Sequence, residues 1–290
     1  MILISLLIVI SLERLFSKSQ KWHAAWYTQQ YRQWCSDSGL LKADAPALQT
    51  WLVLLLPALL LAAIEAWLLG PFLVFIEQTL ILFICIGCPA LRDTYKCFLK
   101  AADRGDLAAC SLYTQQLGFA PDNEEQTMAA ADAAGKSFGQ HMTWLNYQHY
   151  AAVMLWFIGF GAPGAVFYVL VRDTYTATAA AGHPQTNTVY RLLFALDFIP
   201  VRITSAGLLM MGHFSRALPE WLKLSGQIAT SPYRLLTNIA SKAEMLTPQE
   251  QQAHEQDASV EPKVLVKLAK RNTLFLLVVT ALLTLSGALL

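Results

Sequence analysis

Two apolar runs set back to back constrain this chain more than anything else in it. Leu48–Leu69 is 22 residues long with a single charge, Glu65, and Phe72–Leu91 follows at once with a single charge, Glu77. As a helix the first run is about 33 Å long, matching a hydrocarbon core of about 30 Å. Gly70-Pro71 between them reads as a tight turn, so the pair is expected to form a helical hairpin. Only 14% of the chain is charged and 55% is hydrophobic, well off the balance of a soluble domain. The expected class is all-α: a polytopic helical membrane protein with about five to six apolar segments, forming a single membrane domain over 1–290 and partnered by the lipid bilayer. A net charge of +1 with no basic stripe excludes nucleic acid as a partner.

The remaining runs fill out that plan. Met1–Leu12 has no basic region ahead of it and is followed by Glu13-Arg14, so it reads as a retained helix, short for a full crossing. Ser17–Ala47 carries Trp22, Trp26, Tyr27, Tyr31 and Trp34 among polar residues, the pattern of a helix lying on a membrane surface. Residues 92–150 read as a cytoplasmic helical insertion, with breaks at Asp103–Asp106 and Gly118–Asp122 and a helix start at Asp122 with Glu125. Ala151–Val171 is uncharged and reads as one crossing, its Gly159, Gly161, Pro163 and Gly164 permitting close packing or a kink. Arg172–Tyr190 reads as a polar loop and Leu192–Met211 as the next span. An amphipathic membrane-surface segment is expected over 214–246, a flexible linker over 247–262 and a C-terminal transmembrane helix over 273–290. With the N-terminus outside, this plan puts eighteen of the 21 Lys and Arg on the cytoplasmic face, leaving Arg172 and Arg191 opposite and Arg202 within a span.

Charges inside spans are the functional candidates, because an ionised group at bilayer depth is costly and needs a partner. Leu196-Asp197-Phe198-Ile199-Pro200-Val201-Arg202 sets an acid and a guanidinium five residues apart. One reading is a polar ligand site with Arg202 as an anion clamp. The other is a structural ion pair, or side chains reaching toward headgroups. Pro200 suits the first turn of a helix, which would leave Asp197 near the outer interface. Glu13 and Arg14 fall at the inner end of the first segment. Glu65 and Glu77 fall near the outer end of their hairpin, level with Asp197, where three carboxylates would suit a divalent ion or simply be solvated.

Other motifs carry less. Cys85-x-x-Cys88 has redox or zinc spacing but no second pair, so thiols packed in a membrane helix explain it better. Gly135-Lys136-Ser137 ends like a phosphate loop, yet Ala130 stands where its first glycine belongs and the preceding residues are helical. His141 and His149 are eight apart, outside the i, i+4 spacing of a metal pair. No catalytic set, cofactor motif or metal-ligand set is read in the sequence.

Four blocks in order carry a family resemblance: Leu7–Phe16, Leu196–Arg202, Ala217-Leu218-Pro219-Glu220-Trp221 and Leu282–Leu290. Together they resemble the AmpE family over essentially the whole length. The resemblance implies a regulatory protein of the bacterial inner membrane linked to β-lactamase induction and peptidoglycan recycling, with a functional tie to a cytoplasmic muropeptide amidase. That family is in turn similar to the CobD/CbiB adenosylcobinamide-phosphate synthases. Ala101–Leu107, Leu155-Trp156, Pro163-Gly164-Ala165 and Ile199-Pro200-Val201-Arg202 echo the synthase pattern. The synthases' acidic motifs do not follow: Trp144, Leu145 and Gln148 replace an acidic cluster, Arg172-Asp173-Thr174-Tyr175 replaces Asn-Thr-Leu-Asp, and Leu193-Phe194 replace paired aspartates. The expectation is a non-enzymatic modulator that binds a ligand or partner, with a synthase as the alternative.

Overall fold

A computed structural model describes residues 2–15, 22–40, 45–119 and 136–287. The expected helix start at Asp122 with Glu125 lies outside these residues. The described residues are helical and contain no strand. Helices α1 (Ile2–Leu15), α2 (Ala24–Asp37), α3 (Ala47–Trp67), α4 (Pro71–Cys85), α5 (Pro89–Ala102), α6 (Leu107–Gln116) and α7 (Phe138–Asn146) lead into a π-helical turn, Tyr147–Ala151. Then come α8 (Ala152–Ala180), α9 (Thr186–Met211), α10 (Phe214–Ser225), α11 (Pro232–Ala243), α12 (Pro248–Gln256) and α13 (Val260–Leu285). Among the described residues five stretches are long and apolar enough to cross a membrane: Ala47–Trp67, Pro71–Ala102, Phe138–Ala180, Thr186–Met211 and Val260–Leu285.

The chain divides into two compact units. The first comprises Met1–Gly87, Gln148–Pro200 and Leu277–Leu290; the second comprises Cys88–Tyr147 and Val201–Leu276. In the first, α3 and α4 follow one another across Gly70, and each packs on α8 rather than chiefly on the other. Pro71 opens α4, where its missing N–H costs nothing. Leu52, Leu56, Leu59, Leu60 and Ile64 stay exposed along α3, as they do on a helix that faces lipid.

The Ala151–Val171 stretch corrects the sequence reading, because it turns back on itself. Gly161 has φ 64° and ψ −155°, a conformation close to glycine-only. A Cβ on Gly164 would stand 2.4 Å from the carbonyl oxygen of Trp156. Arg172 reaches the carbonyl oxygen of Gln148 at 2.9 Å. Along a straight helix those two residues would be about 36 Å apart. Both pairs are centred beside Gly161, so α8 is two antiparallel arms joined at that residue. The glycines noted in the sequence make a reversal, not merely a kink.

Beyond this reversal the chain returns to the end of the unit it left. Asp173 accepts from Thr28, Gln185 donates to the Ala45 carbonyl, and Trp51 donates to the Thr188 carbonyl. Residues 172–188 lie with residues 28–51, not opposite them, and they are helical through Ala180 rather than a loop. Helix α9 begins at Thr186, so Pro200 sits inside it and not in its first turn.

The second unit holds the insertion and the helices after α9. Asp106 caps α6 by accepting from the Ala109 N–H, and Ser137 with Gln140 forms a capping box on α7. That cap is the role of the serine in the phosphate-loop lookalike. Phe98, Ala101 and Cys110 bury a small core with Tyr95 and Phe138 packed on it. Stretch 247–262, expected as a flexible linker, is helical over Pro248–Gln256 behind a Thr247–Glu250 capping box. Helix α13 starts at Val260, ahead of the span expected from 273.

Candidate functional site

Charged side chains this deeply buried need partners, and among the described residues the first unit holds three: Asp197 at 2%, Arg172 at 4% and Glu13 at 5% exposure. Tyr168 and Arg172 are four residues apart on the second arm of the hairpin and share a face. Tyr168 donates its hydroxyl to Asp197 Oδ1 at 3.0 Å. Arg172 donates Nε and Nη2 to Asp173 Oδ1 at 3.0 and 2.8 Å, while its Nη1 takes the Gln148 carbonyl. Thr28 of α2 donates to the other Asp173 oxygen at 3.0 Å.

The π turn at Tyr147–Ala151 anchors the other side of this layer. Its wider winding loosens the helical ladder locally, and two of its carbonyls accept from outside the helix. Gln148 receives Arg172, and His149 receives the Gly87 N–H at 2.8 Å. Tyr150 donates its hydroxyl to Glu13 Oε1 at 2.8 Å. Gly87 has φ 72°, and a Cβ there would lie 2.5 Å from that same Glu13 oxygen. One polar layer thus runs from Glu13 through the π turn and Arg172–Asp173 to Tyr168 and Asp197.

Arg32 on α2 borders the layer. Burial lowers its guanidinium from the usual value, and the Asp173 carboxylate pulls it partly back. Its Nη1 is shielded and without a hydrogen-bond acceptor, as is Nδ1 of His149. The layer can therefore accept or donate further hydrogen bonds, and it carries charge of both signs.

The candidate residues from the sequence separate into three places. Glu13 and Asp197 join the layer, with Asp197 inside the helix packing rather than near an interface. Arg14 lies in α1, but its side chain is outside the described ones. Glu65 and Glu77 face one another, with Gln78 donating to Glu65 at 3.2 Å. They sit at the hairpin tip, since Gln78 Nε2 is 2.9 Å from where a Cβ on Gly161 would be. Tyr168 is seven residues down the arm, about 10 Å away, so the pair is not level with Asp197. Among the described residues no group of three or more His, Cys, Asp or Glu is placed to hold a metal ion.

Arg202 belongs to the second unit. Its Nε donates to the Ser225 carbonyl and its Nη2 to the Gln227 carbonyl, both at 3.2 Å. Ser225 ends α10, so the guanidinium caps that helix at its negative end. His141 bonds Tyr233 and the Leu117 carbonyl in the same unit, while His149 lies in the π turn of the first. Cys85 and Cys88 are free thiols, Cys85 buried.

Sequence reasoning missed Tyr168, Arg172, Asp173, Thr28 and Tyr150. The available signal was Gly-x-Gly-x-Pro-Gly in mid-run together with Arg172-Asp173 directly after it. A reversal there brings the charged pair back among the helices.

A family model described as "Regulatory signalling modulator protein AmpE" matches residues 1–290. Protein AmpE of Shigella flexneri is 30% identical over 223 residues, which is 72% of this chain and 73% of that protein. Cobalamin biosynthesis protein CobD of Chromobacterium violaceum is 27% identical over 174 residues, 57% of this chain and 54% of that protein. No solved structure matches.

Proposed function

The chain belongs to the AmpE family of regulatory signalling modulators, and from that premise we propose that it modulates β-lactamase induction and the cell-wall-recycling response from the bacterial inner membrane. A ligand or partner engages the polar layer at the base of the helical hairpin and biases its packing. The layer borders both places where the chain leaves the first unit for residues 88–147: Gly87 on the way out and Gln148 on the way back. That placement, with a π turn between Glu13 and Arg172, is the observation that carries the reading. A change in the layer acts at the roots of the insertion, which offers the surface for the muropeptide amidase pathway.

The test is deletion of the gene in a host with inducible β-lactamase. The induced enzyme level shifts and cobalamin synthesis stays intact. An unchanged induction curve rejects the proposal.

A second reading is a membrane synthase of the adenosylcobinamide-phosphate type, favoured by the 27% identity with the CobD protein. Against it stand the residues at the synthases' acidic positions, Leu193-Phe194 and Trp144-Leu145. Purified protein with divalent metal, nucleotide and amino alcohol decides it: turnover establishes the synthase, and none sinks it.

A further inference from the structure

Helix α2 has two unlike flanks. Successive helical residues are about 100° apart, and residues seven apart nearly coincide. Thr28 and Cys35 are buried and mark the side that faces the first unit. Tyr27 and Trp34, on one flank of that side, are 47% and 55% exposed. Gln29 and Ser36, on the other flank, are exposed as well. One flank is therefore aromatic and the other polar, while the back of the helix is mixed, with Trp26, Gln30 and Gln33 exposed. The aromatic flank carries no charge. The charges of α2 are Arg32, beside Asp173 on the polar side, and Asp37, its last residue, on the back.

The aromatic flank lies toward α3. Tyr31 stands between that flank and the buried side. Its ring meets Trp34 at 6.0 Å between centroids, and its hydroxyl donates to the Val53 carbonyl at 2.6 Å. Val53 is in the second turn of α3, whose leucines, Leu52 and Leu56 among them, stay exposed as on a lipid-facing helix. Trp22, just ahead of α2, packs edge-on against Phe83 in the last turn of α4. These ties put α2 where α3 begins and α4 ends, the level of the headgroups. Tyr and Trp rings, apolar in the body and polar at one edge, concentrate at that level.

We propose that α2 is an interfacial helix, seated in the boundary between headgroups and acyl chains through Tyr27 and Trp34, with Gln29 and Ser36 in water. The occupant of the aromatic flank is the bilayer itself. Ring chemistry and continuity with the exposed side of α3 select it, and headgroup charge plays no part. An apolar flank beside a polar one is what such a position requires. The inner side of the same helix holds Thr28 on Asp173, so the seat also fixes one edge of the polar layer.

The experiment uses the full chain with Cys88→Ser and Cys97→Ser, one copy per phosphatidylcholine nanodisc. A spin label is placed in turn at Tyr27→Cys, Trp34→Cys, Gln29→Cys and Ser36→Cys. Cys35, Cys85 and Cys110 are buried and stay. Collision with a water-soluble nickel chelate, and with oxygen, which partitions into acyl chains, reads the surroundings of each label. Labels at 27 and 34 lose nickel access and keep oxygen, whereas labels at 29 and 36 keep nickel. Each aromatic variant leaves the other ring in place, and unchanged circular dichroism verifies the fold. Nickel reaching 27 and 34 as freely as 29 and 36 overturns the proposal. So does shielding of 27 and 34 from both reagents, or shielding that needs two chains per disc, since either assigns the flank to protein.

Discussion

Gly161 stands in backbone space that a side chain enters only at a cost of about 1–3 kcal/mol, and a Cβ there would also press on Gln78. Gly161→Ala is therefore expected to destabilise the first unit by at least that amount, read as a lowered unfolding midpoint in detergent. The Arg172–Asp173 pair makes a sharper case. Arg172→Met keeps the Thr28 hydroxyl on Asp173 but removes the guanidinium bonded to its carboxylate, and loss of one partner of a largely buried pair costs up to about 3–5 kcal/mol. Replacing both, Arg172→Met with Asp173→Leu, should recover much of it. Arg202 behaves differently. Arg202→Ala removes two charge-assisted hydrogen bonds, one to the last residue of α10 and one to Gln227 just past it, each worth about 1.5–3 kcal/mol at most. Faster hydrogen exchange confined to residues 222–227 is the expected result, and uniform exchange would contradict the capping role.

The elements differ in how plainly the sequence announced them. The α3 and α4 spans were legible because length, hydropathy and the Gly70-Pro71 break all point one way. The α8 hairpin was not, because hydropathy counts apolar residues and is blind to a reversal inside a run. Only the backbone of Gly161 separates one crossing from two arms. Helix α12 was missed for a related reason: its Gln- and Glu-rich composition resembles a linker, and the Thr247-x-x-Glu250 box at its start outweighs that. Glu250 accepts the Thr247 backbone N–H and hydroxyl, which holds its carboxyl below the ordinary value of 4.5. A depressed carboxyl stabilises the helix start above pH 4.5, and that stabilisation fades as pH falls through the lowered value. Amide exchange at residues 248–251 should accelerate in that acid window, and Glu250→Gln should remove the pH dependence.

Across the whole molecule, the membrane class and the family came from the sequence, while the polar layer came from the fold. Asp197 and Glu13 were visible as misplaced charges, but Tyr168 looks like an ordinary apolar-run residue and Tyr150 like the last residue of the insertion until the fold places them. The reversal also changes sidedness: position 187 should label from the same side as position 47, with position 70 opposite. Asn187→Cys, Ala47→Cys and Gly70→Cys in a Cys97→Ser background test this with an impermeant thiol reagent, and labelling of 187 together with 70 would restore the single crossing. The central claim is that the layer around Asp197 carries the signal. It is tested most directly by complementing a deletion strain with wild type or Asp197→Asn, matched for membrane level, and measuring induced β-lactamase activity. The account predicts that wild type restores the parental induction curve and Asp197→Asn leaves the deletion curve; an Asp197→Asn curve that overlays wild type would contradict it.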